Sequence, residues 1–352
     1  MALVIKELNL PYCERVVQGI DETTGLNGFI AVYSTKLGPA LGGVRAWKYP
    51  RSYAARKDSI LLAKAMTYKN SLAGLDYGGG KGVIDLKDGP KTKDMLKSFG
   101  ELVQSLNGDY IAGKDVGITI PDLKIMSQTC DHIAHVNPDI RSVDPSPPTA
   151  LGVVRGMEAS INMLRDRMAP GKKLEGLHVV IQGLGTVGWR VASMLKRKKV
   201  KLTVTDINKD LVAKAVLKFG ATPVKRPSRI YDVECDIFAP CALGGIIDED
   251  TIERFKCKII CGCANNQLED KLAGYAMLVK KILLAPDYLV NSGGVINSAA
   301  ELSGDYDEFD VAIAIDGIFE RLMEIYEISR AESIPTNIVA NRLAEERLAK
   351  GK

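Results

Sequence analysis

The sequence predicts an α/β protein in two parts, an N-terminal α+β region followed by a doubly wound region with a parallel sheet and a helical tail. Three observations carry this. Short apolar strands alternate with helical stretches between residues 177 and 285, the pattern of a parallel sheet with crossover helices. The first 140 or so residues hold strands and helices in a less regular order. Between them, 137–148 carries four prolines (Pro138, Pro145, Pro147, Pro148) and no helical period, so it reads as a hinge. The expected segments are 1–140, 141–330 and a tail, 331–352.

In the first part, Gly28 to Ser34 is an apolar, β-rich run, and Gly38 to Gly43 reads as a glycine-rich turn. Ala54 to Ser71 reads as a helix, with Ile60, Leu61, Lys64, Ala65 and Tyr68 forming a stripe at spacings of three and four. Lys81 to Leu86 and Tyr110 to Gly113 read as strands, with a helix from Asp94 to Leu106 between them. In the second part, Leu177 to Gln182 is a strand, Gly183 to Gly188 a turn, Trp189 to Lys199 a helix and Lys201 to Thr205 the next strand. Further strands are expected at Asp236–Ala239, Lys258–Cys261 and Ile282–Ala285. Helices Phe309–Glu332 and Asn337–Lys350, separated at Ile334-Pro335, close the chain.

Bulk properties narrow the function. A chain of 352 residues with 46% apolar and 26% charged residues is long enough for two cores and too apolar for disorder. A net charge of +4 does not point to a nucleic-acid partner. The basic run Lys196–Lys199 reads as a solvated helix C-terminus, where cations suit the dipole. The seven cysteines form no disulfide framework. Cys257, Cys261 and Cys263 lie on an apolar, strand-like run without a neighbouring His, so no metal site is expected. His132 and His135 lack a third ligand at a recognisable spacing and read as ordinary buried or surface residues. No stretch is long and apolar enough for a membrane span, and the first residues do not form a signal peptide, so the expected setting is the cytoplasm.

The most specific local signal is Gly183-Leu184-Gly185-Thr186-Val187-Gly188. Alone, G-x-G-x-x-G is weak. Here it follows an expected strand, opens an expected helix, and is followed 18 residues after its last glycine by Asp206 at the end of the next strand. This is the context of a Rossmann dinucleotide site. The glycines let the backbone approach a pyrophosphate, the helix N-terminus offers N–H donors, and Asp206 accepts from the adenosine ribose hydroxyls. A carboxylate there repels a 2′-phosphate, so the expected cofactor is NAD rather than NADP.

Candidate chemical groups lie in the first part. Lys81 follows three glycines, which make poor helix and poor strand but allow close packing; desolvation lowers a lysine's pKa toward the range of a general base. A surface lysine on a flexible turn fits the same motif equally well. A P-loop does not, because Gly82 stands where Ser or Thr is required. Lys69 near a helix C-terminus and Asp115 after a strand are ambiguous taken singly.

Taken together, Leu37–Gly43, Met66–Asn70, Gly78–Lys81, Asp115–Gly117, Asp144–Pro147 with Thr149, Ala264–Gln267 and Asn291–Val295 resemble the glutamate/leucine/phenylalanine/valine dehydrogenase family, in particular its shorter leucine/phenylalanine branch. The matches run in the family's order over nearly the whole chain. The resemblance implies an NAD-dependent, reversible oxidative deamination of an L-amino acid to its 2-oxo acid and ammonia. It implies that Lys69 binds the α-carboxylate, Lys81 activates the attacking water and Asp115 shuttles protons to and from the amino group. Gly42 and Gly43 would line the substrate, with Asn291 in a facing loop, and Thr149 and Asn265 would contact the nicotinamide side. It also implies a substrate-binding and oligomerisation domain first, with a mixed, mostly antiparallel sheet, then the dinucleotide domain, a tail packing back on the first, and a homo-oligomer.

Substrate choice is less constrained. Leu41 stands where the glutamate branch has a lysine for the side-chain carboxylate, so the implied substrate is apolar. Gly113 and Ser298 replace bulkier residues usual in leucine enzymes, while Val295 keeps one leucine-like contact. Branched aliphatic substrates are therefore expected first, with phenylalanine or tryptophan as the alternative. A hydroxy-acid dehydrogenase would rely on a His and an Arg where this chain offers two lysines. A non-catalytic NAD-binding relative should have lost Lys81 or Asp115.

Overall fold

The computed structural model describes residues 3–87, 89–136, 144–164 and 173–352. The chain divides into two compact units. One comprises Met1–Val143, Ser298–Tyr306 and Ala344–Lys352; the other comprises Asp144–Asn297 and Asp307–Leu343. The 140/141 boundary and the first part of the proline-rich break lie outside the described residues. Among those described, no helix is long and apolar enough to cross a membrane.

The first unit contains β1 (Val4–Glu7), β2 (Arg15–Asp21), β3 (Leu26–Ser34), β4 (Ala40–Trp47), α1 (Ser52–Leu72), β5 (Gly78–Asp85), α2 (Lys93–Gln104), β6 (Tyr110–Lys114) and α3 (Ile120–Met126). Its sheet runs β1-β2-β3-β5-β4-β6. The first three pairings are antiparallel and the last two parallel, so the sheet is mixed. α2 places Met95, Leu96, Phe99, Leu102 and Val103 against Ile30, Val44, Ile84, Tyr110 and Ala112 on one face. α1 covers β3 and β5 on the other, where Ala55 packs with Phe29 and Val83, and Ala63 with Val16 and Ala31.

One local expectation fails here and one open alternative is decided, for the same reason. Gly78, Gly79 and Gly80 form a buried strand rather than a turn, and only the Gly38 end of 38–43 turns; Leu41, Gly42 and Gly43 lie within β4. A Cβ at Gly79 would stand 2.1 Å from the Thr67 backbone nitrogen. The glycines are therefore where α1 lies directly on the sheet, and close packing overrides their poor strand propensity. The same approach selects the buried face of α1. Toward the sheet it is Ala55, Ser59, Ala63 and Thr67, all small; of the expected stripe Tyr68 is buried, Ile60 and Ala65 are half-buried, and Leu61 and Lys64 are exposed.

The second unit opens with α4 (Ser146–Met163), whose Pro147 and Pro148 sit in its first turn, where a missing N–H costs nothing. There follow β7 (His178–Gln182), α5 (Thr186–Arg197), β8 (Lys201–Thr205), α6 (Lys209–Phe219), β9 (Thr222–Pro223), β10 (Ile237–Pro240), α7 (Glu249–Arg254), β11 (Ile259–Ile260), α8 (Lys271–Val279), β12 (Leu283–Leu284) and α9 (Asp287–Val290). Every pairing in the sheet β12-β11-β10-β7-β8-β9 is parallel. The strand order reverses between β7 and β10, the switch point where ligands of such sheets bind. Lys196 to Lys199 are exposed at the end of α5, as expected of a solvated terminus. Helices α10 (Gly293–Ser303), α11 (Glu308–Glu332) and α12 (Thr336–Lys350) complete the chain. α10 and α12 each begin in the second unit and end in the first. In the first, Tyr68 donates to Glu345, the Ser71 hydroxyl donates to the Ala344 carbonyl, and Arg347 pairs with Asp76.

Candidate active site

In the first unit the parallel strands β5, β4 and β6 set three positions side by side. Val44 pairs with Gly82, which brings Gly43 beside Lys81, and Gly43 pairs with Gly113. Ile84, Val44, Tyr110 and Ala112 point into the core beneath α2, so Lys81, Gly43 and Gly113 share the opposite face. Asp115, two residues beyond Gly113, faces the same way, and a Cβ on Gly43 would come within 2.7 Å of the Asp115 Cβ.

Lys81 and Asp115 meet here. Lys81 Nζ lies 2.7 Å from Asp115 Oδ2, with side-chain exposures of 6% and 23%. Arg45 Nε approaches the same oxygen at 3.3 Å, and its Nη1 pairs at 3.1 Å with Asp58, which also accepts from Tyr49. Burial pushes the Asp115 carboxyl up, but the Lys81 ammonium beside it, with Arg45 and the Val116 N–H, outweighs burial and holds it below its ordinary value. The structure thus places a carboxylate against a nearly fully buried cation, an arrangement that can relay a proton.

Lys69 is half-buried in the last turn of α1. Its neighbour Asn70 is buried and donates to the carbonyls of Leu41 and Gly78, which ties that turn to β4 and β5. Leu41 is buried. Tyr110 donates to the Gly42 and Gly43 carbonyls and accepts from the Gly82 N–H, fixing the glycine strands from below. Ser298 lies in the part of α10 that belongs to the first unit, while Asn291 and the half-buried Val295 belong to the second. Arg45 and Asp58 carry no sequence signal, and Asn70 and Tyr110 stand in stretches that the sequence marks without showing what they touch. His135, read as an ordinary buried or surface residue, is largely buried at the end of the glycine floor beside Ser298.

In the second unit the glycine motif follows β7 at the switch point. Gly183 has φ +100°, and a Cβ there would meet the Cys241 carbonyl and Ala242 just beyond β10. A Cβ on Gly188 would stand 2.2 Å from the Gly183 carbonyl, so only glycine permits this close turn. Gly188 falls inside α5, which starts at Thr186 rather than Trp189. No side chain caps that helix; Gly185 and Thr186 are exposed, Val187 is half-buried, and a Cβ on Gly185 would point into open space. Asp206 accepts from the Leu184 N–H at 2.6 Å and from the Asn208 N–H at 2.8 Å, which holds its carboxylate against the turn. An uncapped helix start, a glycine cradle and an adjacent carboxylate fit a dinucleotide. Asn291 donates to the exposed Asn265 Oδ1 and to the Cys263 carbonyl, and Thr149 donates to the Pro145 carbonyl in the first turn of α4.

Residues 14–136 match the family model "Glu/Leu/Phe/Val dehydrogenase, dimerisation domain", and residues 197–341 match "Glutamate/Leucine/Phenylalanine/Valine dehydrogenase". The chain is 44% identical to the leucine dehydrogenase of Thermoactinomyces intermedius, covering 95% of this chain and 90% of that protein. The chain belongs to the glutamate/leucine/phenylalanine/valine dehydrogenase family. It is therefore an amino-acid dehydrogenase of an NAD(P)-dependent family. It is also 40% identical to the L-tryptophan dehydrogenase of Nostoc punctiforme over 93% of this chain. The crystal structure of that enzyme superposes with a TM-score of 0.84, covering 96% of each chain. A hetero-hexameric glutamate dehydrogenase from Thermus thermophilus, 21% identical, shares the fold with a TM-score of 0.75, over 99% of this chain and 88% of that one.

Proposed function

We propose that this amino-acid dehydrogenase oxidatively deaminates an L-amino acid with a predominantly apolar side chain, reversibly, and uses NAD in preference to NADP. The observation that carries the reading is the 2.7 Å pair between the buried Lys81 and Asp115. Leucine, tryptophan and phenylalanine dehydrogenases among the relatives support the substrate class, as does the buried Leu41.

In this reading Lys69 binds the α-carboxylate and Asp115 faces the α-amino group. Asp115 takes a proton from the α-ammonium; a bound nicotinamide would supply the hydride acceptor, and loss of hydride from Cα of the resulting amine leaves an iminium. Lys81, as the unprotonated amine, takes a proton from the water that attacks the iminium carbon, which leaves a carbinolamine. Asp115 returns its proton to the nitrogen as the C–N bond breaks and takes the carbinolamine hydroxyl proton as C=O forms, so the products are the 2-oxo acid and ammonia, and the two protons left on Lys81 and Asp115 pass to solvent. Arg45 and the Val116 N–H keep Asp115 ionised between turnovers, ready to accept.

For the cofactor, Gly183, Gly185 and Gly188 with the N–H groups of Thr186 and Val187 would hold the pyrophosphate, and Asp206 the ribose hydroxyls. Thr149 and Asn265, the latter held by Asn291, would meet the nicotinamide end. We further propose a cytoplasmic homo-oligomer built through the first unit. The match of residues 14–136 to a dimerisation domain supports the assembly, and seven free thiols fit a reducing compartment.

The test is formation of NADH or NADPH by the purified protein with L-Leu, L-Val, L-Ile, L-Phe, L-Tyr, L-Trp and L-Glu. The reading expects turnover with NAD and an apolar or aromatic amino acid. Preference for L-Glu, or for NADP, would overturn it.

A further inference from the structure

Four charged side chains of the first unit form a chain of alternating sign. It runs from Asp58 on α1 to Arg45 on β4, then to Asp115 beyond β6 and Lys81 on β5. The Arg45 and Asp58 side chains are 25% and 27% exposed, so solvent screens their pair only in part.

Arg45 is divided between two carboxylates. A guanidinium beside a carboxylate frequently pairs with it through two parallel N–H bonds. Arg45 does not: its Nε reaches Asp115 Oδ2 at 3.3 Å, while its Nη1 lies 3.1 Å from Asp58 Oδ2. Asp58 is itself anchored, since the Tyr49 hydroxyl donates to the same Oδ2. Burial, and then the Asp58 carboxylate, push the Tyr49 hydroxyl up from its ordinary pKa, so it stays a donor at neutral pH. The 3.3 Å contact to Asp115 lies just beyond the usual range of an N–H···O bond, the geometry of a pair held back rather than closed.

The division matters for Asp115. Its Oδ2 already takes Lys81 Nζ at 2.7 Å, and the Val116 N–H also donates to the carboxylate. The work assigned to Asp115 is to gain and release protons, and each further charge-assisted bond to its ionised form opposes the gain. Without Asp58, Arg45 is free to close on Asp115 with two N–H groups and to hold the carboxylate too firmly for it to carry a proton.

We propose that Asp58, anchored by Tyr49, is a positioning residue for the reaction: it holds Arg45 back from a two-pronged pair with Asp115, so that the carboxylate stays able to exchange a proton with the substrate amino group. This deepens the proposed function and rests on Asp115 being the group that meets the amino nitrogen.

The experiment measures kcat with NAD and whichever of L-Leu, L-Phe and L-Trp the wild type turns over fastest. It compares wild type, Asp58→Ala, Arg45→Gln and the double variant, with circular dichroism as the fold control. Asp58→Ala should lower kcat by about 10-fold or more, the scale of one charge-assisted hydrogen bond, with the KM for NAD unchanged. Arg45→Gln leaves Lys81 and the Val116 N–H on Asp115 and should cost only a few-fold. The double variant has no guanidinium to close on Asp115, so it should match Arg45→Gln and exceed Asp58→Ala; a merely structural role for Asp58 gives no such rescue. Where the alanine variant does not fold, Asp58→Asn takes its place in the same comparison, with the same rescue expected. A folded Asp58 variant within a few-fold of wild type, or a double variant at or below the Asp58 single variant, overturns the inference alone. A wild type inactive with all three amino acids overturns the underlying reading as well.

Discussion

Replacing Lys81 by alanine probes the pair on which the chemistry rests. The substitution removes an ammonium that sits 2.7 Å from Asp115 and is 6% exposed. It does not strand the carboxylate, because Arg45 remains at 3.3 Å and the Val116 N–H still donates. The stability cost therefore falls below the ~3–5 kcal/mol of stripping one member from a fully buried pair, and the variant should fold. Its catalytic cost is that of losing a positioned acid–base group, about 10²–10⁴-fold in kcat, or ~2.7–5.5 kcal/mol of barrier. The assay is steady-state NADH formation at saturating amino acid, with circular dichroism as the fold control and fluorescence titration of NADH as the cofactor control. Nucleotide affinity should be unchanged, since every residue assigned to the cofactor lies in the second unit. A folded Lys81→Ala enzyme that keeps its turnover to within a few-fold would refute the role assigned to this lysine.

Four further outcomes are expected. Asp206→Ser should lower kcat/KM with NAD relative to NADP by about 10–100-fold, because it removes both the ribose acceptor and the repulsion of a 2′-phosphate; an unchanged ratio in parallel assays would count against that role. Gly79→Ala should destabilise the fold by ~1–3 kcal/mol or more in urea unfolding, since its Cβ would collide with Thr67 of α1; wild-type stability would mean that the helix can lift off the sheet at no cost. Gly317→Ala, exposed in α11 with nothing within 4 Å of the new Cβ, should instead stabilise by ~0.5–1 kcal/mol, and a loss in the same assay would contradict this. The Asp115 carboxyl is held below its unfolded value of about 3.9, so its stabilisation is complete above that pH and is lost as pH falls through the depressed folded value. The unfolding free energies of wild type and Asp115→Asn should therefore converge in acid, and a gap constant from neutral pH to pH ~2 would exclude the pair as its source.

The second unit was legible because its signals are local. Strands β7 and β8, the glycine motif and Asp206 lie within 29 residues, 178–206, and each announces itself by composition or spacing. The first unit was less so, because its deciding contacts are distant in sequence. Gly79 reads as a breaker until Thr67 is seen against it, and the small face of α1 follows from the same contact rather than from hydrophobic period. Lys81 and Asp115 were visible as candidates through flanking motifs, but their 2.7 Å contact depends on β4 lying between β5 and β6. Arg45 and Asp58 had no motif at all. His135 lies 166 residues from Glu301 and 163 from Ser298, and no periodicity links such positions.

The most direct test of amine chemistry at Lys81 and Asp115 runs the reaction in reverse, following NADH consumption with 2-oxo-4-methylpentanoate and with the 2-oxo acids of phenylalanine and tyrosine, each with and without ammonium. The account predicts consumption that depends strictly on ammonium and yields the L-amino acid. Consumption without ammonium, with a 2-hydroxy acid as product, would contradict it.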